Sequence, residues 1–103
     1  MMTQFVKATT VSEVAQNQSK ICEINGKQIA IFNVAGRFCA IENVCPHRGG
    51  PVGEGDLEGT VVTCPWHGWQ FDVTTGASPV NPAATIKKFN CKVEGSDILV
   101  EVD

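Results

Sequence analysis

The chain has no tyrosine and only two histidines among its 103 residues. Little acid–base chemistry is available if both histidines are committed elsewhere. Basic residues are also few: eight Lys and Arg stand against eleven Asp and Glu, a net charge of −3. A nucleic-acid partner wants a basic stripe, so that class is disfavoured. No apolar run approaches the roughly 20 residues that cross a bilayer. Residues 1–16 lack the apolar core of a signal peptide. The expectation is a cytoplasmic protein with no membrane contact, in which the Asn17-Gln18-Ser19 sequon goes unused. Five cysteines cannot all pair, which disfavours a disulfide framework. The length allows one domain, residues 1–103, too small for a multi-step active site on a second domain.

What is present divides unevenly. All five prolines lie between Pro46 and Pro82, and seven of the ten glycines lie between Gly49 and Gly76. Trp66 and Trp69 lie there too. The flanks read as short strands. Residues 20–24 run into Asn25-Gly26, a strong hairpin signal because both turn positions need positive φ. Residues 28–34 are apolar on both parities, as in a strand covered on two faces. Ala35-Gly36 turns the chain into residues 37–42. Phe89, Cys91 and Val93 alternate with polar residues in a half-buried strand. Gly95-Ser96 leads to residues 97–102, with Ile98, Val100 and Val102 on one face. Residues 10–15 hold at most one helical turn. The fold class is all-β, a small antiparallel sandwich or barrel. A β base, residues 1–44 and 83–103, carries an irregular segment, residues 45–82. Irregular chain of that length is usually functional.

That segment opens on Cys45-Pro46-His47 and closes its ligand-rich part with Cys64-Pro65-Trp66-His67, sixteen residues later. Every histidine of the protein sits beside a cysteine. Four such side chains on two loops make a metal site by composition. One zinc ion is one candidate. Zinc fingers, however, usually keep the cysteines in one pair and the histidines in the other. Here each loop supplies one of each. That suits two metal positions, one taking both thiolates and one taking both imidazoles, as in the Rieske variant of the [2Fe–2S] centre.

With His47-Arg48-Gly49-Gly50-Pro51 after the first pair and Trp66-His67-Gly68-Trp69 at the second, the pattern over residues 5–102 resembles a Rieske-type ferredoxin. The resemblance is to the ferredoxin component of bacterial ring-hydroxylating dioxygenase systems. It implies a three-sheet antiparallel fold with the cluster at one tip. It implies one [2Fe–2S] cluster per chain, with Cys45 and Cys64 on the inner iron and His47 and His67 on the outer. A proline-containing loop, residues 76–83, would cover the cluster. The chain would be a monomeric electron carrier, not an enzyme, and would have no catalytic residues. Its partners would be a flavin-dependent ferredoxin reductase and a terminal oxygenase. The alternatives are a Rieske-like small subunit of a reductase complex such as nitrite reductase, or a zinc-stabilised binding module.

Quinol-oxidising Rieske proteins carry an extra disulfide, and hydroxyl donors to the sulfurs. The matching positions here are Gly50 and Trp66 for the disulfide, and Trp69 and Phe71 for the hydroxyls. None can serve, so the expected potential lies at the low end of the Rieske range, toward about −150 mV. Residues 45–82 hold one base, Arg48, against four acids, Glu54, Asp56, Glu58 and Asp72; Glu54, Asp56 and Glu58 read more simply as solvated loop charges than as an acidic collar for basic partners. Cys22, Cys39 and Cys91 read as small core residues. Trp66 and Trp69 read as side chains that shield the cluster or fill space, with partner contact as the alternative. Phe32, Phe38, Phe71 and Phe89 read as core.

Overall fold

The computed structural model describes residues 4–45, 49–66, 68–81 and 83–102. Among them ten strands form three antiparallel sheets, and the helical content is two 3-10 turns. The strands are β1 (Gln4–Thr10), β2 (Ser19–Ile24), β3 (Lys27–Val34), β4 (Arg37–Glu42), β5 (Asp56–Glu58), β6 (Val61–Thr63), β7 (Gln70–Asp72), β8 (Lys88–Phe89), β9 (Cys91–Glu94) and β10 (Asp97–Val102). The sheets run β1-β10-β9, β2-β3-β4-β8 and β5-β6-β7. The all-β expectation holds. Among the described residues no helix is long and apolar enough to cross a membrane.

The β2–β3 hairpin turns at Asn25 and Gly26, with φ of 52° and 80°. Both values are positive, as the mirror-image turn requires. The β3–β4 turn uses Ala35 at φ 52° before Gly36 at 91°. Alanine pays a steric penalty there. The Asn33 carboxamide supports the turn, since its Oδ1 accepts the Gly36 N–H at 2.9 Å.

Strand β3 divides the interior in two. Ile29 and Ile31 face Val14, Cys22, Ile24, Ala40, Phe89 and the β10 residues Ile98, Val100 and Val102. Ala30 and Phe32 face the other way, into Ile41, Val52, Val62, Phe71, Val73, Ile86 and the two cysteines Cys45 and Cys64. This is the physical meaning of a strand that is apolar on both parities. Each large side chain so buried stabilises the fold by about 1.5–3 kcal/mol.

Three expectations change. The anticipated strand through Phe89, Cys91 and Val93 is two strands. β8 pairs with β4, and β9 pairs with β10. The break falls at Asn90, whose carbonyl accepts the Glu101 N–H at 2.8 Å. Val93 is accordingly 45% exposed. Phe38 is only half-buried, whereas Phe32, Phe71 and Phe89 are core. The segment after the first ligand pair is more regular than its composition suggests, because β5, β6 and β7 fold it into a sheet of its own.

Candidate metal centre

Cys45 follows β4 after Asn43 and Val44, and Cys64 directly follows β6. Each cysteine is tied to the far side of its own loop. The Cys45 N–H donates to the Gly50 carbonyl at 2.9 Å, and its carbonyl accepts the Gly49 N–H at 2.8 Å. A bridge between Val44 and Pro51 closes that loop below. In the second loop the Cys64 N–H donates to the Trp69 carbonyl at 2.7 Å. Both thiols are buried, at 2% and 1% exposure.

The loops meet at Gly50. A Cβ placed there would stand 2.9 Å from the Cys64 Sγ. Burial pushes the Cys64 thiol up, a backbone hydrogen bond from Trp66 pulls it down, and a hydrogen bond with the Cys45 thiol raises it again. Two buried thiols in contact, with a backbone donor beside one of them, fit a group that takes two thiolates at one position. Uptake would release their protons. The other two expected ligands, His47 and His67, lie outside the described residues, as does Pro82. In sequence they stand two residues after Cys45 and three after Cys64.

The expected covering loop stands against the second ligand loop. Gly68, Trp69, Gln70, Ser78, Val80 and Asn81 line a cleft of about 210 Å³. Ser78 Oγ accepts the N–H groups of Val80 and Asn81 at 3.3 and 3.1 Å, and Asn81 Oδ1 accepts that of Ala83 at 3.1 Å. The loop is therefore braced by its own side chains. Trp69 is half-buried, its ring centroid 6.4 Å from that of Phe71. Trp66 is half exposed, and Val44 and Val80 are exposed apolar residues as well.

The four acids separate into two kinds. Glu54, Asp56 and Glu58 are exposed. Asp72 is structural: its carboxylate accepts the Thr74 N–H at 2.9 Å, the Thr74 hydroxyl, and the Thr60 hydroxyl at 3.1 Å. Burial alone would raise its pKa, but these bonds outweigh it and hold Asp72 below the usual carboxylate range. Cys22, Cys39 and Cys91 are free thiols. Burial pushes all three up, Cys91 to about 11, so they remain protonated at neutral pH.

Sequence reading did not single out Asn43 or Gly53. Asn43 is 2% exposed, and its Oδ1 accepts the Gly53 N–H at 2.7 Å. The available signal was an amide side chain at the end of an apolar strand, two residues before an expected ligand.

Comparison with known proteins agrees with this fold. The Rieske [2Fe-2S] domain matches residues 4–90. The biphenyl dioxygenase ferredoxin subunit of Pseudomonas sp. strain KKS102 is 37% identical, over 94% of this chain and 91% of its own. The ferredoxin component of the naphthalene 1,2-dioxygenase/salicylate 5-hydroxylase systems of Ralstonia sp. is 31% identical, over 99% and 100%. Among solved structures, a chain from the complex of reduced oxygenase and oxidised ferredoxin in carbazole 1,9a-dioxygenase superposes with a TM-score of 0.86. It is 28% identical and covers 93% of this chain and 91% of that one. The match spans both buried thiols, and the chain belongs to the Rieske [2Fe-2S] domain family.

Proposed function

We propose that this chain is the ferredoxin component of a multicomponent oxygenase system of the ring-hydroxylating dioxygenase type. In this reading it takes one electron from a flavin-dependent ferredoxin reductase and gives it to a terminal oxygenase. It works as a cytoplasmic monomer with one [2Fe–2S] cluster. Cys45 and Cys64 hold the inner iron, His47 and His67 the outer. Residues 45–82 form the cluster-binding segment on a base of residues 1–44 and 83–103. The observation that carries the reading is full-length similarity to ferredoxin components in a chain whose two buried thiols meet.

The cluster, when bound, supplies a centre that accepts and releases one electron. The chain's own residues set how readily. His47 and His67 bring neutral imidazoles where a four-cysteine site has two thiolate charges, so an added electron meets less negative charge. Phe71, fully buried, offers no hydroxyl to a sulfur. Trp69 and the braced loop of Ser78 and Asn81 wall one side of the second ligand loop. No side chain of this chain is assigned a catalytic role.

Metal and sulfide analysis with a visible spectrum tests the proposal. Two irons and two sulfides per chain and a red-brown colour are expected; a colourless protein holding zinc alone would overturn it. Reduction by a ferredoxin reductase, followed by reoxidation on adding a terminal oxygenase, tests the carrier role.

A further inference from the structure

Asn43 is joined to two parts of the fold at once. Towards β3, its backbone N–H donates to the Gln28 carbonyl at 2.9 Å, and its Nδ2 donates to Gln28 Oε1 at 3.1 Å. Towards the chain leaving the first ligand loop, its carbonyl accepts the Val52 N–H at 2.8 Å, and its Oδ1 accepts the Gly53 N–H at 2.7 Å. The far end has no slack. A Cβ on Gly53 would stand 2.6 Å from Ile21 Cγ1 and 3.0 Å from Ala30 Cβ. The Ser19 hydroxyl donates to the Gly53 carbonyl. Residues 43 and 53 are therefore pinned together, and both are pinned to the base.

We infer that Asn43 is a positioning residue for the redox centre. Its carboxamide clamps both ends of the first ligand loop to β3, which fixes Cys45 relative to Cys64. This rests on the Rieske reading of the two cysteines. Buried amides are expensive to leave unpaired, so Asn43 holds the loop by a geometry that an apolar side chain cannot reproduce.

The fold contains its own control. Asn33 is also buried, at 8% exposure. Its Nδ2 donates to the Val14 carbonyl at 2.9 Å, and its Oδ1 accepts the Gly36 N–H at 2.9 Å. It serves a turn of the base and, among the described residues, bonds to neither ligand loop. A purely structural role predicts that Asn43→Ala and Asn33→Ala behave alike.

The experiment uses the holoprotein and four variants: Asn43→Ala, Asn43→Asp, Asn33→Ala and Gln28→Ala. Iron and sulfide content, thermal midpoint, reduction potential and the rate of iron loss to a ferrous chelator are measured. Asn43→Ala is expected to lose iron about tenfold faster than Asn33→Ala, the low end of the range for residues that support metal ligands. Its potential should shift while that of Asn33→Ala stays at the wild-type value. Asn43→Asp keeps the acceptor for Gly53 and should recover most of the retention. Equal loss rates and potentials in the two alanine variants would overturn the inference. If Asn43→Ala yields no holoprotein, Gln28→Ala decides: faster iron loss supports the clamp, and wild-type loss overturns it. Wild-type protein without iron and sulfide would instead overturn the Rieske reading itself.

Discussion

Gly50 and Trp66 are pressed together across the two ligand loops: a Cβ built on Gly50 would stand 2.9 Å from the Trp66 Cβ. That is shorter than the roughly 3.8 Å between Cβ atoms joined by a disulfide. The positions that match the extra cysteines of quinol-oxidising Rieske proteins thus face one another here, closed by backbone against an indole. Gly50→Ala should push the loops apart. We expect less iron per chain, and iron loss to a chelator faster by about tenfold. Wild-type retention in Gly50→Ala would show that the close approach is dispensable.

The ligand set predicts which side chains the cluster needs. Cys45→Ala, His47→Ala, Cys64→Ala and His67→Ala should each abolish the visible spectrum. Cys22→Ala, Cys39→Ala and Cys91→Ala should keep two irons per chain. Replacing buried Cys22 in this way should cost about 1 kcal/mol of stability. Loss of iron in any of these last three would reassign the ligands.

The reduction potential should lie toward about −150 mV. Phe71 is fully buried and carries no hydroxyl, and Trp69 offers only an indole N–H. A redox titration giving a strongly positive value would contradict this. Phe71→Tyr adds a hydroxyl at the position matched to a hydroxyl donor of quinol-oxidising Rieske proteins, and should raise the potential.

The exposed acids should be silent in stability. The ion pairs Lys7–Asp97, Lys20–Glu13 and Lys92–Glu94 all lie in the base. Neutralising Glu54, Asp56 and Glu58 together should change folding stability by no more than about 0.5 kcal/mol per site. The same variant separates solvated charges from a steering collar. A shallower salt dependence of electron transfer to the oxygenase means steering. An unchanged one means solvated charges only.

Asp72 should make stability pH-dependent in acid. Its folded pKa lies below the ordinary value, so its contribution is complete above the unfolded carboxylate pKa of about 3.9. That contribution is lost as pH falls through the lower folded value. Asp72→Asn should therefore be less stable than wild type at neutral pH, by about 1 kcal/mol. The two should converge in strong acid. Urea midpoints across pH would show it, and a constant difference at every pH would refute it.

The sequence made some of this legible and hid the rest for identifiable reasons. β2, β3, β4 and β10 announce themselves because their burial follows a period-two or two-faced pattern, and Asn25-Gly26 marks their turn. β1 does not, since Thr9 is its one buried residue; it is a strand because β10 offers an edge. β5, β6 and β7 have three residues each, too few to show a period, and they exist by pairing with one another. The break at Asn90 is likewise a decision between two partner strands. At the site, Cys45 and Cys64 were legible from residue type and spacing. Asn43 and Gly53 were not, because their importance is a meeting in space between residues that carry no motif.

The division made by β3 has one more consequence. Its two faces look into different cores, and only one of those cores contains Cys45 and Cys64. The outer sheet of β1, β10 and β9 is walled off from Cys45 and Cys64 by a single layer of backbone. Substitutions in that sheet can accumulate without disturbing the geometry around Cys45 and Cys64. A lineage could thereby reshape one end of the molecule for new surroundings and leave the electron-bearing end unchanged.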